Sequence, residues 1–164
     1  MTTFYSSSTF LITINPNLTC PETDEPGCQA VTANLERAMS RVYSIVSSRN
    51  PLLLNATMKA MDTPERVPER PEGAPPRPNL GDLRVTQWEQ SVERGGRMGY
   101  LHGHVLCSFD QWVQFQLPVL QEIFNSYFPG RKVYFKVKAV KQDRNTHDTS
   151  MYVAKESLSY KKLA

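Results

Sequence analysis

Residues 62–79 hold six of the twelve prolines, mixed with Glu and Arg. Proline lacks the backbone donor that ladders and helices need, and this stretch has almost no apolar side chain to bury. It reads as an extended surface loop at about 62–80, so any core must come from the segments on either side. With 164 residues, 40% of them hydrophobic, the chain is long enough for one domain built from those two segments. A single domain spanning 1–164 is therefore expected.

The N-terminal segment opens with Phe10-Leu-Ile-Thr-Ile14, a β-rich run closed by Asn15-Pro16-Asn17. Pro21 to Gly27 reads as a polar loop. Val31, Leu35, Ala38, Met39, Val42, Ile45 and Val46 follow at helical spacing and predict an amphipathic helix that stops near Asn50-Pro51. Leu52 to Met61 reads as a shorter helical piece.

Beyond the proline-rich stretch, Leu83 to Gln90 and Tyr100 to Phe109 read as two strands of a hairpin turning at Gly95-Gly96. Asp110 is an N-cap candidate for a helix through Trp112, Val113 and Phe115, which Pro118 restarts and which Val119, Ile123, Phe124 and Tyr127 continue to Pro129-Gly130. Lys132-Val-Tyr-Phe-Lys-Val-Lys138 alternates as a strand with Val133, Phe135 and Val137 on one face. Thr149 to about Lys161 reads as a final helix. This order predicts an α+β fold: a central antiparallel sheet of about five strands flanked by helices, in a split βαβ arrangement.

Charge is distributed unevenly. Residues 1–83 carry 7 Lys/Arg and 9 Asp/Glu, whereas residues 84–164 carry 12 and 7. A basic C-terminal half points to a polyanionic partner, with Lys132, Lys136, Lys138 and Lys141 bordering its path. Three cysteines without close spacing argue against a disulfide framework and fit an intracellular, reducing compartment. The first ten residues contain no basic residue and so do not form a signal peptide. No apolar run reaches the roughly 20 residues of a membrane span.

Chemistry concentrates in two places. His102-Gly103-His104 lies within a strand, where side chains two apart share a face and sit about 7 Å apart along it. Two imidazoles so placed can close on one cation. A turn centred on Gly95-Gly96 sets Glu89 opposite His102 and Gln87 opposite His104, so Glu89 completes a two-His, one-carboxylate set. Glu93 shares that face nearer the turn and is the second choice, because a bulge changes the register. The other place is Tyr152-Val-Ala-Lys155-Glu156, whose i, i+3 and i+4 positions share one helix face. A tyrosine there can serve as a covalent nucleophile, with the Lys155 cation favouring phenolate and offsetting phosphate charge.

Taken in order, these blocks resemble the HUH endonuclease domains of rolling-circle replication initiators, especially those of small circular single-stranded DNA viruses. Phe10 to Pro16 is similar to the first-strand motif, Leu101-His-Gly-His-Val-Leu106 to the metal-binding motif, and Met151-Tyr-Val-Ala-Lys-Glu156 to the tyrosine motif. The likeness spans residues 10–156.

The resemblance implies an RRM-like endonuclease fold that nicks and joins single-stranded origin DNA through a 5′-phosphotyrosine intermediate. It implies Tyr152 as nucleophile, Lys155 as its helper, and Mn²⁺ or Mg²⁺ held by His102, His104 and Glu89. It further implies a helicase partner, in another protein or in a further domain, and, for a viral chain, the host nucleus. Gly103 departs from the bulky residue usual between the histidines, which predicts a looser strand. There is no P-loop, so no helicase domain lies within these residues. Tyr160 follows Tyr152 too distantly for a two-tyrosine motif and reads as non-catalytic. Two other classes share parts of this pattern: a non-enzymatic DNA-binding module of the same fold, and a two-His, one-carboxylate iron oxygenase.

Overall fold

The longest strand organises everything else. In a computed structural model that describes residues 6–18, 25–56, 79–95, 99–140, 153 and 157–164, β4 runs from Tyr100 to Phe115 through the middle of the sheet. The other elements are β1 (Ser6–Asn15), α1 (Glu25–Ser47), β2 (Leu54–Ala56), β3 (Val85–Gly95), α2 (Leu117–Tyr127), β5 (Tyr134–Ala139) and β6 (Ser159–Lys162). The sheet order is β5-β1-β4-β3-β6, with β2 pairing to the far end of β4, and every pairing is antiparallel. The chain is α+β: the described residues form an open antiparallel sheet of six strands flanked by the helices α1 and α2.

Strand alternation divides the sheet into two unlike faces. Phe10, Ile12 and Ile14 of β1, Trp88 and Val92 of β3, and Val105 and Cys107 of β4 point to one side. They form a single cluster there with Leu35, Met39 and Val42 of α1 and Leu120 and Phe124 of α2. Phe10 lies edge-on to both Phe109 and Phe115, with centroids 6.3 and 5.1 Å away. Helix α1 stops by a Schellman arrangement. Arg49 takes φ +58°, its N–H donates to the Val46 carbonyl at 3.0 Å, and the Asn50 N–H reaches the Ile45 carbonyl at 3.4 Å.

Several boundaries differ from the sequence expectation. Helix α1 begins at Glu25, not Val31, because an acidic residue and Pro26 suit a first helical turn. The piece expected as a short helix from Leu52 contains strand β2 instead, bonded to Val113–Phe115. Asp110 does not cap a helix. Its side chain accepts from the Arg84 N–H at 2.9 Å and its own N–H donates to the Arg84 carbonyl at 3.1 Å, so β4 continues to Phe115. Val113 and Phe115 keep the strand alternation inward, and α2 starts only at Leu117. At the C-terminus, the segment expected to be helical to Lys161 ends in strand β6, paired with β3.

Gly103 does not loosen β4. It points to the core face, where a Cβ would stand 3.0 Å from Met39 Sδ and 3.3 Å from Met39 Cε. Met39 fills the space a bulkier residue would occupy. Gly103→Val should therefore cost about 1–3 kcal/mol through overpacking, read as a lowered urea midpoint. Met39→Ala in the same chain should recover part of that loss. A Gly103→Val protein as stable as the parent would show that the Met39 contact is slack.

Candidate metal centre

The face turned away from the helices carries a polar row. Cross-strand partners run Lys136 to Thr13, Thr13 to His104, His104 to Ser91 and Ser91 to Tyr160, crossing five strands. His102 shares this face and pairs with Glu93. The Glu93 Oε1 atom lies 2.6 Å from His102 Nε2 and 2.9 Å from His104 Nε2. The two imidazoles meet edge to face with centroids 4.8 Å apart. Among the described residues, Glu93, His102 and His104 form a group able to hold a metal ion, their ligand atoms all within 4.8 Å of one another.

Each ring is held from behind. His102 Nδ1 is 3.4 Å from the Tyr100 carbonyl, which can only accept, so a ring with its hydrogen on Nδ1 donates there and turns the Nε2 lone pair toward Glu93. His104 Nδ1 is 3.3 Å from Thr13 Oγ1, and the same orientation follows when Nδ1 donates. Gly95 makes room for the first ring, since a Cβ there would stand 2.6 Å from His102 Cε1. Fixing a ligand's second nitrogen is how proteins orient metal-binding histidines.

Electrostatics favour a cation at this point. Burial raises the Glu93 carboxyl pKa, but hydrogen bonds from His104 and His102 outweigh it and hold the group below its usual 4.5. Burial also disfavours charge on His104. Glu93 offsets this only in part, so the imidazole stays neutral to below its usual 6.5. An Nε2 proton makes each short contact a hydrogen bond; a divalent cation can take that proton's place, the neutral ring then keeping its hydrogen on Nδ1. Two imidazoles and one carboxylate suit Mn²⁺ better than Mg²⁺, which prefers oxygen.

No family profile and no curated protein matches this chain.

The carboxylate that joins the two histidines is Glu93, not Glu89. Gly95 pairs with Tyr100, so residues 96–99 form the connection and the register moves by two residue pairs from that of a Gly95-Gly96 turn. Glu89 then faces Leu106, and Gln87 faces Ser108 rather than His104. Glu89 is buried and accepts from Gln87 Nε2 and from the Tyr160 hydroxyl, which engages it away from the histidines. Desolvation, then the hydrogen bond and charge of Glu89, push the Tyr160 phenol up to about 12. Held protonated, it is a poor nucleophile.

Lys136 and Lys138 lie on the histidine face of β5, and Lys132 lies two residues before that strand begins. Tyr152, Lys155 and Lys141 lie outside the described residues. Between Tyr152 and Lys155, Val153 is helical and fully buried. Sequence reading missed Thr13 and Ser91. Thr13 had a signal, since it sits at the outward position of the first-strand run. The Ser91 hydroxyl is buried beside His104 without a hydrogen-bond partner, and nothing in its sequence neighbourhood marks it.

Two outcomes follow for metal binding, both readable by calorimetry with Mn²⁺. Glu93→Gln and the double change of His102 and His104 to Ala should each lower affinity at least tenfold. Glu89→Gln should leave it near the parent value. Equal losses from both Glu variants would reject the assignment. Metal also competes with protons for the imidazoles. Because burial lowers the His104 pKa, the His104 part of the affinity should persist at pH 7 and disappear only below its ordinary 6.5. Affinity already falling steeply from pH 8 to pH 7 would contradict the depressed His104.

Proposed function

We propose that this chain is a metal-dependent nuclease domain of a replication initiator, nicking and rejoining single-stranded DNA through a tyrosine. The observation that carries the reading is the convergence of Glu93 Oε1 with His102 Nε2 and His104 Nε2 on the open face of an antiparallel sheet. Lys136 in the same cross-strand row adds positive charge beside it. The tyrosine motif at Tyr152 and Lys155 is contributed by the sequence.

Glu93, His102 and His104 would hold Mn²⁺ or Mg²⁺, which when bound polarises the scissile phosphate and offsets charge developing on its oxygens. In the reaction proposed here, the Tyr152 oxygen attacks phosphorus. A phosphorus–oxygen bond to Tyr152 forms and the bond to the 3′ oxygen breaks. The phenolic proton leaves to solvent, and the departing 3′ oxygen takes one up as a hydroxyl. Attack by a 3′-hydroxyl on the phosphotyrosine reverses these steps and rejoins ends, so no nucleotide cofactor is consumed. Lys155 steadies the phenolate or the phosphate. The Ser91 hydroxyl, with no protein partner beside His104, is placed to accept or donate one hydrogen bond to a group bound there.

A second reading keeps the same donors. Two imidazoles and a carboxylate are also the ligand set of non-haem iron oxygenases. The lysines on the same face speak against it, because that chemistry has no need of a basic approach.

One substitution separates the readings. Tyr152→Phe removes one oxygen and almost no volume. Incubated with a single-stranded origin oligonucleotide and Mn²⁺, the parent should form a covalent protein–DNA band on a denaturing gel. Tyr152→Phe should form none while binding metal and DNA as before, and Tyr160→Phe should retain the band. A Tyr152→Phe protein that still forms the adduct would defeat the tyrosine assignment. Absence of a band from the parent would leave only the binding module or the oxygenase.

A further inference from the structure

The outward face of β5 is exposed and basic. Its inward residues Val133 and Val137 are buried, and Phe135 stacks edge-on against Phe124 at 5.4 Å. Its outward residues Tyr134, Lys136 and Lys138 are exposed, Tyr134 at 53%, as is Lys132 just ahead of the strand. Lys132 Nζ sits 5.2 Å from the Tyr134 ring centroid and steadies the ring from one side. Among the described residues no carboxylate pairs with Lys132, Lys136 or Lys138. At the opposite edge, the outward-facing Tyr160 hydroxyl is engaged by Glu89, whereas Lys161 faces the helices and pairs with Glu36 at 3.4 Å.

We propose that β5 is the binding track for single-stranded DNA, with a base stacked on Tyr134 and neighbouring phosphates on Lys136 and Lys138. Three observations combine here. An aromatic ring held exposed on a strand offers a stacking platform that any base can use. Lysines two apart on a strand are spaced by about 6.6–6.8 Å, the scale of one step of a stretched nucleic-acid strand. Lys136 lies two strands from His104 along one row, about 10 Å at the usual strand spacing. A strand seated on β5 thus passes within one nucleotide's reach of the metal centre. The inference rests on the nucleic-acid part of the proposed function and does not depend on the cleavage chemistry.

The test uses the whole chain in EDTA, which removes metal and cutting, and reads fluorescence anisotropy. The probes are a labelled oligothymidine and an abasic oligonucleotide of equal length. Tyr134→Ala should weaken oligothymidine binding about 5- to 100-fold and leave abasic binding nearly unchanged. Tyr134→Trp should bind oligothymidine at least as well as the parent. The Lys136→Ala, Lys138→Ala double variant should weaken both probes and reduce the salt slope by about 1.4. Because Tyr134 is exposed, these variants keep the fold, which circular dichroism checks. Equal affinity of parent and Tyr134→Ala overturns the proposal. So do equal losses on both probes, or a parent that binds duplex and not single strands. The Mn²⁺ adduct assay, run in parallel, reports on the nuclease reading separately: loss of the adduct with the binding pattern intact removes the chemistry and leaves the track.

Discussion

The register between β3 and β4 is the constraint on which the rest depends. It sets Glu93 against His102 and Ser91 against His104. The same pairing puts Val92 against Gly103 on the other face, where Met39 fills the space above the glycine. A slip by one residue would carry both histidines into the apolar layer and Val105 out of it. The apolar layer therefore guards the polar one: Trp88, Val92, Leu101 and Val105 are each 0–1% exposed, and a slip by an odd number of residues would split them between the two faces.

Within that frame the ligands are largely pre-positioned. Tyr100 and Thr13 hold the imidazoles from behind, while Gly95 gives His102 its place. The arrangement concentrates one carboxylate and two nitrogen lone pairs in a partly buried spot, where unbalanced charge is costly. Such a cluster is most comfortable with a cation at its centre. Nothing of that kind surrounds Glu89, whose oxygens are taken up by Gln87 and Tyr160.

Much of this was legible before any coordinates. Strands β3 and β5 announced themselves by alternation, β1 by its β-rich run before a turn, the body of β4 as the second arm of a hairpin, α1 by its helical stripe, and the shared face of the histidines by their spacing. The third ligand was misread for one reason: two glycines resembled a tight turn, whereas the connection spans residues 96–99. The error was an even number of residues, so the face was right and the partner wrong. Asp110 misled because the same residue type that caps helices can also accept a strand's N–H, as it does from Arg84. Strands β2 and β6 are 3 and 4 residues long, too short for a periodic signal, and form only because β4 and β3 offer them edges. The tyrosine motif remains a statement of sequence.

An open sheet leaves strand edges that invite pairing with other chains. Here β5 and β6 bound the sheet, and each carries lysines: Lys136 and Lys138 on one, Lys161 and Lys162 on the other. Charged side chains on edge strands discourage edge-to-edge association. The lysines of β5 thus serve solubility as well as attraction to polyanions, and the two roles pull in opposite directions. Neutralising them should favour self-association of the free protein. A bound nucleic acid, which neutralises the lysines but covers the strand's outward face, replaces that protection with its own negative charge.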